Sequence, residues 1–177
     1  MRIIAGKLRH RTIEMVHLDT TRETQDKVRG AIFNMIGPYF DGGVALDLFA
    51  GSGAMAIEAY SRGIEKIYLN DIEPKAIAVC RQNCQNLKIE AASFCISDFK
   101  QYLKNVGCQM NLIFLDPPYH LNDIEQILSL TAPVLLSRGR IVFEMANESN
   151  YPTTIAGLHI IKEKCYGIKR VVIYQKE

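Results

Sequence analysis

The sequence predicts an α/β fold with a doubly wound, mostly parallel sheet, and three observations carry that prediction. Short apolar runs alternate with segments of helical period from about residue 44 to residue 145, the pattern of successive βαβ units. A glycine turn, Ala50-Gly51-Ser52-Gly53, follows the first run and breaks directly into a helix. Finally, Asp47/Gly51/Gly53, Asp71, Asp98 and Asp116 all fall at or just past the end of a run. In such sheets that edge holds the ligands.

Taken in order, residues 2–5 and 12–16 flank Gly6-Lys7-Leu8-Arg9-His10-Arg11, which reads as a small β-hairpin with a basic tip. Thr20 to Gln25 is polar and suits a helix cap; Val28, Ile32, Met35 and Ile36 then mark one helical face, ended by Gly37-Pro38. Val44 to Phe49 is the first core strand, 54–61 a helix closed by Gly63, and Lys66 to Asp71 the second strand. Pro74 opens the next helix, at a position where its missing N–H costs nothing. Ser93 to Ile96 is a third strand, followed by a short helix to about Lys104. Leu112 to Leu115 is the fourth, 124–136 a helix, and Gly139 to Met145 the fifth. Asn147 to Thr154 reads as loop, and two alternating segments joined by Tyr166-Gly167 read as an antiparallel hairpin. The organisation expected is one unit, with 1–40 an N-terminal extension and 41–177 the catalytic core.

A chain of 177 residues with 48% hydrophobic and 23% charged residues is long enough to bury a sizeable core. Net charge is only +2, but Arg2, Lys7, Arg9 and Arg11 crowd into the first thirteen residues without an acid, a pattern suited to phosphates. No stretch approaches a membrane span and no signal-like apolar core follows Met1, so a cytoplasmic location with reduced thiols is expected. Cys80 and Cys84 lie four apart, but no matching Cys/His pair stands elsewhere, and no metal is predicted.

The densest chemistry lies in Leu112-Ile113-Phe114-Leu115-Asp116-Pro117-Pro118-Tyr119. A buried strand delivers Asp116 to the ligand edge, and two prolines supply carbonyls but no N–H groups. The result is a stiff, acceptor-only corner suited to a planar amino group, with Tyr119 placed to stack on it. Gly51-x-Gly53-x-x-Ala56 fits the relaxed dinucleotide fingerprint, and Asp71 can accept both ribose hydroxyls. These features serve a nicotinamide dinucleotide and S-adenosylmethionine (AdoMet) equally, since both carry adenosine. Asp98 can accept from an adenine amine, and Ile72 can cover the ring or join the core. Asp47 either organises the glycine turn or meets the methionine ammonium. If the donor is AdoMet, Asp116 and the Pro117 carbonyl would orient an exocyclic amine towards its methyl group. His120 is a conceivable base, though an oriented amine does not need prior deprotonation.

Asp116-Pro117-Pro118-Tyr119 is similar to the amino-methyltransferase signature of the class I AdoMet fold. The run from Asp47 to Ala59, Arg2-Ile3-Ile4-Ala5-Gly6-Lys7, and Arg22-x-Thr24-x-Asp26-Lys27-Val28-Arg29 with Ile32-Phe33-Asn34 closely resemble the bacterial RsmD family. That family methylates guanine N2 in 16S ribosomal RNA, and the resemblance spans the chain. It implies a seven-stranded sheet whose last strand is antiparallel. It places Thr24 and Lys27 at the methionine end of AdoMet, with RNA contacts from Arg22 and Arg29 nearby. It places Asp71 at the ribose, Asp98 at the adenine, and Asp116 to Tyr119 at the guanine. The implied partner is 16S RNA; with so little surface available, the chain is expected to meet it in the partly assembled small subunit, and a monomer is expected. The chain departs from the family at Leu8, Glu23, Gly30 and His120-Leu121-Asn122, positions that bear on RNA grip. Rival readings are an adenine-N6 methyltransferase of the same fold, a dinucleotide-dependent oxidoreductase, and a non-catalytic RNA-binding assembly factor.

Overall fold

The computed structural model describes residues 1–16, 26–118, 121 and 123–177. Its sheet runs in the order β3-β2-β1-β4-β5-β8-β7-β6. The strands are β1 (Val44–Asp47), β2 (Lys66–Asp71), β3 (Ala92–Ile96), β4 (Met110–Leu115), β5 (Leu135–Ala146), β6 (Thr154–Ile155), β7 (Leu158–Tyr166) and β8 (Lys169–Lys176). The first five are parallel; β8 joins β5 antiparallel, and β7 and β6 continue that mode. The strand order reverses at β1, whose neighbours are β2 and β4. A crevice must therefore open beyond their C-terminal ends.

Helices α1 (Asp26–Ile36), α2 (Ala54–Ser61) and α3 (Pro74–Asn86) cover one face, and α4 (Phe99–Asn105) and α5 (Ile124–Thr131) the other. Strand alternation divides the core between them. Leu112 and Phe114 pack with Ile32, Phe33 and Ile57, whereas Ile113 and Leu115 pack with Leu103 and Leu128. In β8, Val171 and Ile173 likewise face the first layer while Val172 and Tyr174 face the second. Both surfaces of the central strands β1, β4, β5 and β8 are thus buried over most of their length, as continuous apolar runs demand.

The doubly wound sheet and antiparallel closure match the expectation; three details differ. The sheet has eight strands rather than seven, because two residues read as the end of a loop and its continuation pair with β7 as β6. Helix α5 stops at Thr131 instead of running to 136, since Pro133 forces a 3-10 turn and β5 then begins at Leu135. The N-terminal hairpin is reduced to a single bridge, Arg2 to Thr12, and docks on α2 rather than standing as a two-stranded ribbon.

Its docking depends on Glu58, a buried residue of α2. The N–H groups of Ile4 and Ala5 donate to the two Glu58 carboxylate oxygens at 2.9 and 3.1 Å, and Arg62 Nε donates at 2.7 Å. Arg29 Nε lies 3.5 Å from the same carboxylate, and its guanidinium also donates to Asp26 and to the Arg2 carbonyl. Gly6 is required by close approach, since a Cβ there would fall 1.8 Å from the Ser61 carbonyl oxygen. Arg29 therefore corrects a sequence expectation. With 0% of its surface exposed it cannot grip RNA, and its charge is consumed holding the extension to the core. Replacing Glu58 by alanine leaves the buried Arg62 guanidinium without a carboxylate and Arg29 with Asp26 alone, and should cost about 3–5 kcal/mol in urea unfolding. A loss of ~1 kcal/mol or less, as for an exposed pair, would contradict this role.

Candidate active site

The glycine turn after β1 is set by backbone geometry. Gly51 and Gly53 have φ of 53° and 79°, and the Gly53 N–H closes the turn on the Ala50 carbonyl at 2.7 Å. The two glycines have different tasks. Gly51 lines a cleft of about 360 Å³ beyond the switch point. Gly53 lies behind it, where a Cβ would come within 2.7 Å of Leu69 Cδ2 and 3.2 Å of Cys80 Sγ. Its small size lets α2 and α3 pack against β2. Asn83 ties this turn to the extension, donating to the Ser52 and Glu14 carbonyls at 3.0 Å each.

The acids ring the cleft. Asp71 accepts from the Gly51 N–H at 2.9 Å and from the Glu73 N–H at 3.0 Å. Its remaining lone pairs are the acceptors available to a diol. Asp98 caps α4 by accepting from the Lys100 N–H at 2.9 Å, and it lines the same cleft. Beside it Ile72 shows 62% of its surface, so of the two readings, ring cover or core, the core is excluded.

Asp47 is buried at the end of β1, close to the backbone N–H of Ala56 in the first turn of α2. Burial pushes its pKa up to about 8; Ala56 opposes this and the charges of Asp71, Asp116 and Glu144 add to it. The folded protein therefore holds a proton that the unfolded chain releases, and this contribution to stability falls as pH rises from about 4 to about 8. Asp47→Asn, neutral throughout, should flatten that part of the ligand-free stability profile in urea titrations. Identical slopes for the two proteins would refute the buried proton.

Asp116 leaves the end of β4 with Pro117 and Pro118, and the Pro118 carbonyl accepts from the Leu121 N–H at 2.9 Å. Two residues that sequence reasoning missed complete the corner. Lys169 Nζ donates to both Asp116 oxygens at 3.2 and 3.0 Å and to Glu144 Oε2 at 3.2 Å. Glu144 was visible as the single acid inside Ile141-Val142-Phe143-Glu144-Met145; Lys169 carried no such signal, since lysine is ordinary at a strand start. Burial and the Glu144 charge push the Asp116 pKa up to about 7, against the pull of Lys169. Burial would lower Lys169, but the two carboxylates outweigh it and hold its pKa above the usual lysine value. A second recess of about 400 Å³ continues from Asp116, Pro117 and Glu144 towards the loop after β5.

The structure thus gathers Asp47, Gly51, Asp71, Ile72, Asp98, Asp116 and Pro117 around one cleft. Lys27 is exposed and does not line it. Arg2, Lys7, Arg9 and Arg11 are exposed on the extension; Lys7 Nζ sits 3.6 Å over the Tyr60 ring, and Arg11 donates to the Asn86 carbonyl. Arg22, Thr24 and Tyr119, with His120, lie outside the described residues.

Known proteins agree with this architecture. YlbH of Bacillus subtilis is 40% identical over 182 residues, 99% of each chain. The Ribosomal RNA small subunit methyltransferase D of Haemophilus influenzae is 32% identical, across 99% of this chain and 93% of its own. The solved structure of yhhF from Escherichia coli superposes with a TM-score of 0.88 at 29% identity, covering 100% of this chain and 98% of that one. The model of the family described as Conserved hypothetical protein 95 matches residues 1–175. With that match and these end-to-end relatives, the chain belongs to the Conserved hypothetical protein 95 family, the RsmD-type ribosomal RNA methyltransferases.

Proposed function

We propose that this protein transfers a methyl group from AdoMet to the exocyclic N2 of a guanine in small-subunit ribosomal RNA. The observation that carries the reading is the joining of two chemistries in one cleft. An adenosine-type set (Gly51, Asp71, Ile72 and Asp98) opens onto the corner at Asp116 and Pro117, whose acceptors are backed by the Lys169 ammonium. A dinucleotide oxidoreductase would use the first set and leave the corner idle. The cleft also fits a cationic donor, since Asp47, Asp71, Asp98, Asp116 and Glu144 far outweigh Lys169, its one basic residue among those described. The ammonium of the methionine moiety would pair with Asp47 and draw its proton away.

AdoMet supplies a methyl group already on a good leaving group, so the protein's work is to present the amine. The guanine N2 lone pair is delocalised into the ring. Accepting its two N–H bonds at the Asp116 carboxylate and the Pro117 carbonyl turns that lone pair towards the methyl carbon. The N–C bond forms as the C–S electron pair returns to sulfur, and Asp116 takes the surplus amine proton for release to water. Such positioning is worth roughly 7–11 kcal/mol of barrier. Tyr119 would stack on the flipped base, offsetting part of an unstacking cost of a few kcal/mol. Thr24 and Lys27 would close over the methionine end. Arg2, Lys7, Arg9, Arg11 and Arg22 would hold phosphates, with the protein acting as a cytoplasmic monomer on the assembled or assembling subunit.

The test is methyl transfer to small subunits from a strain lacking the enzyme, followed by nucleoside analysis. N2-methylguanosine is expected; N6-methyladenosine would transfer the reading to adenine. Protein-free RNA should react far more slowly, and equal rates would remove the subunit from the proposal. Asp116→Ala should lower the rate at least about a hundredfold, the scale of losing an oriented charged group at the reacting atom. Undiminished transfer by that variant would exclude the mechanism.

A further inference from the structure

The corner contains more charge than the amine-orienting role uses. Leu115 pairs with Phe143 in the β4–β5 register, so Asp116, leaving the end of β4, comes beside Glu144, which stays within β5 opposite Val171. Lys169 pairs across β5–β8 with Ala146, which puts it diagonal to Glu144 on the same sheet face. Its ammonium reaches both Asp116 oxygens and one Glu144 oxygen, all within 3.2 Å. Glu144 is almost wholly buried, whereas about a third of the Asp116 side chain (34%) remains open to the cleft. The inner carboxylate thus anchors the ammonium, and the outer one faces the substrate.

We propose, building on the methyl-transfer reading above, that Lys169 is a positioning residue which, anchored by Glu144, favours the ionised form of Asp116 and keeps its carboxylate aimed at the incoming amine. The physical reason is the crowding of like charge. Asp116 faces Glu144 from β5, Lys169 from β8 and Asp47 from the end of β1, with Asp71 of β2 behind Asp47. Glu148 lines the outer recess. Two carboxylates this close would otherwise share one proton. A protonated Asp116 offers the amine one fewer acceptor and has no room for the proton released on transfer. Lys169 touches neither donor nor base in this role; it acts through Asp116.

The proposal makes Lys169 and Glu144 move the same titration in opposite directions, which a merely structural role would not do. Single-turnover methyl transfer to small subunits should show an acid limb near pH 7 in the wild type. Lys169→Met should move that limb up by about one unit or more, with the rate falling roughly tenfold per unit on its acid side. Lys169→Arg should keep the limb close to the wild-type position, and Glu144→Gln should move it down. Carbon-13 NMR titration of the Asp116 carboxyl, done without substrate, should show the same order of shifts. If Lys169→Met does not fold, the arginine and glutamine variants carry the test. An unmoved limb in Glu144→Gln, or shifts of the same sign in both charge-removing variants, would overturn the clamp. Opposite NMR shifts with unchanged rate profiles would overturn its part in transfer. Opposite NMR shifts in a protein that methylates nothing would uphold the clamp and remove the activity assigned to it.

Discussion

Everything at the cleft depends on the pairing of β1 with β4. In that register Asp47 stands opposite Phe114, and the Leu48 N–H continues the ladder to the Phe114 carbonyl at 3.2 Å. The two strands therefore end together at the point where the sheet order reverses. One then breaks into the glycine turn and the other into the proline corner. A register slip by one residue would turn the apolar sets of either strand to the wrong helical layer. The core fixes the pairing, and the pairing fixes the distance between the donor half and the acceptor half. Positional control of this kind is what methyl transfer to a weak nucleophile requires.

Electrostatics then divides the molecule by sign. Inside the cleft the lining is acidic, so the residues there are costly to ionise together; burial and mutual repulsion raise both Asp47 and Asp116. A cationic donor relieves the first acid and Lys169 relieves the second. The ligand-free cleft is accordingly a strained charge arrangement that binding completes. The same pattern disfavours an anionic occupant: among the described residues a phosphate in this cleft would meet several carboxylates and a single ammonium.

How much of this was legible in the sequence follows from how local each signal is. The runs at 44–49 and 112–115, the glycine turn and Pro74 are local, and the corresponding elements formed close to where they were expected. Asp71, Asp98 and Asp116 were legible because their place after a strand determines the edge on which they emerge. The triad at Asp116 was not, because Lys169 is brought there only by an antiparallel pairing more than fifty residues away in sequence. Arg29 misled for a related reason. It stands in a charged segment with Arg22 and Lys27, and beyond its local partner Asp26 nothing nearby announces Glu58, which lies past the glycine turn and buries it. The extension's reduction to one bridge has the same origin. Its N–H groups at Ile4 and Ala5 go to that carboxylate rather than to a second strand.

These two buried carboxylates, Glu58 on α2 and Glu144 on β5, do parallel work. Each sits inside an apolar element, where an ionised group is expensive unless paired. Each fixes a cation that in turn fixes something else: Glu58 holds Arg29 and Arg62 and so seats the basic extension, while Glu144 holds Lys169 and so seats Asp116. Among the exposed cations, Arg2, Lys7, Arg9 and Arg11 cluster on the extension, whereas the described lining of the cleft carries several acids and Lys169. A polyanion approaching this surface is attracted to the extension and repelled from the cleft. Only an uncharged part of it, a base swung out of its stack, can enter with favourable electrostatics. The segregation of sign thus selects a nucleobase over its own phosphate backbone before any contact to the ring is made.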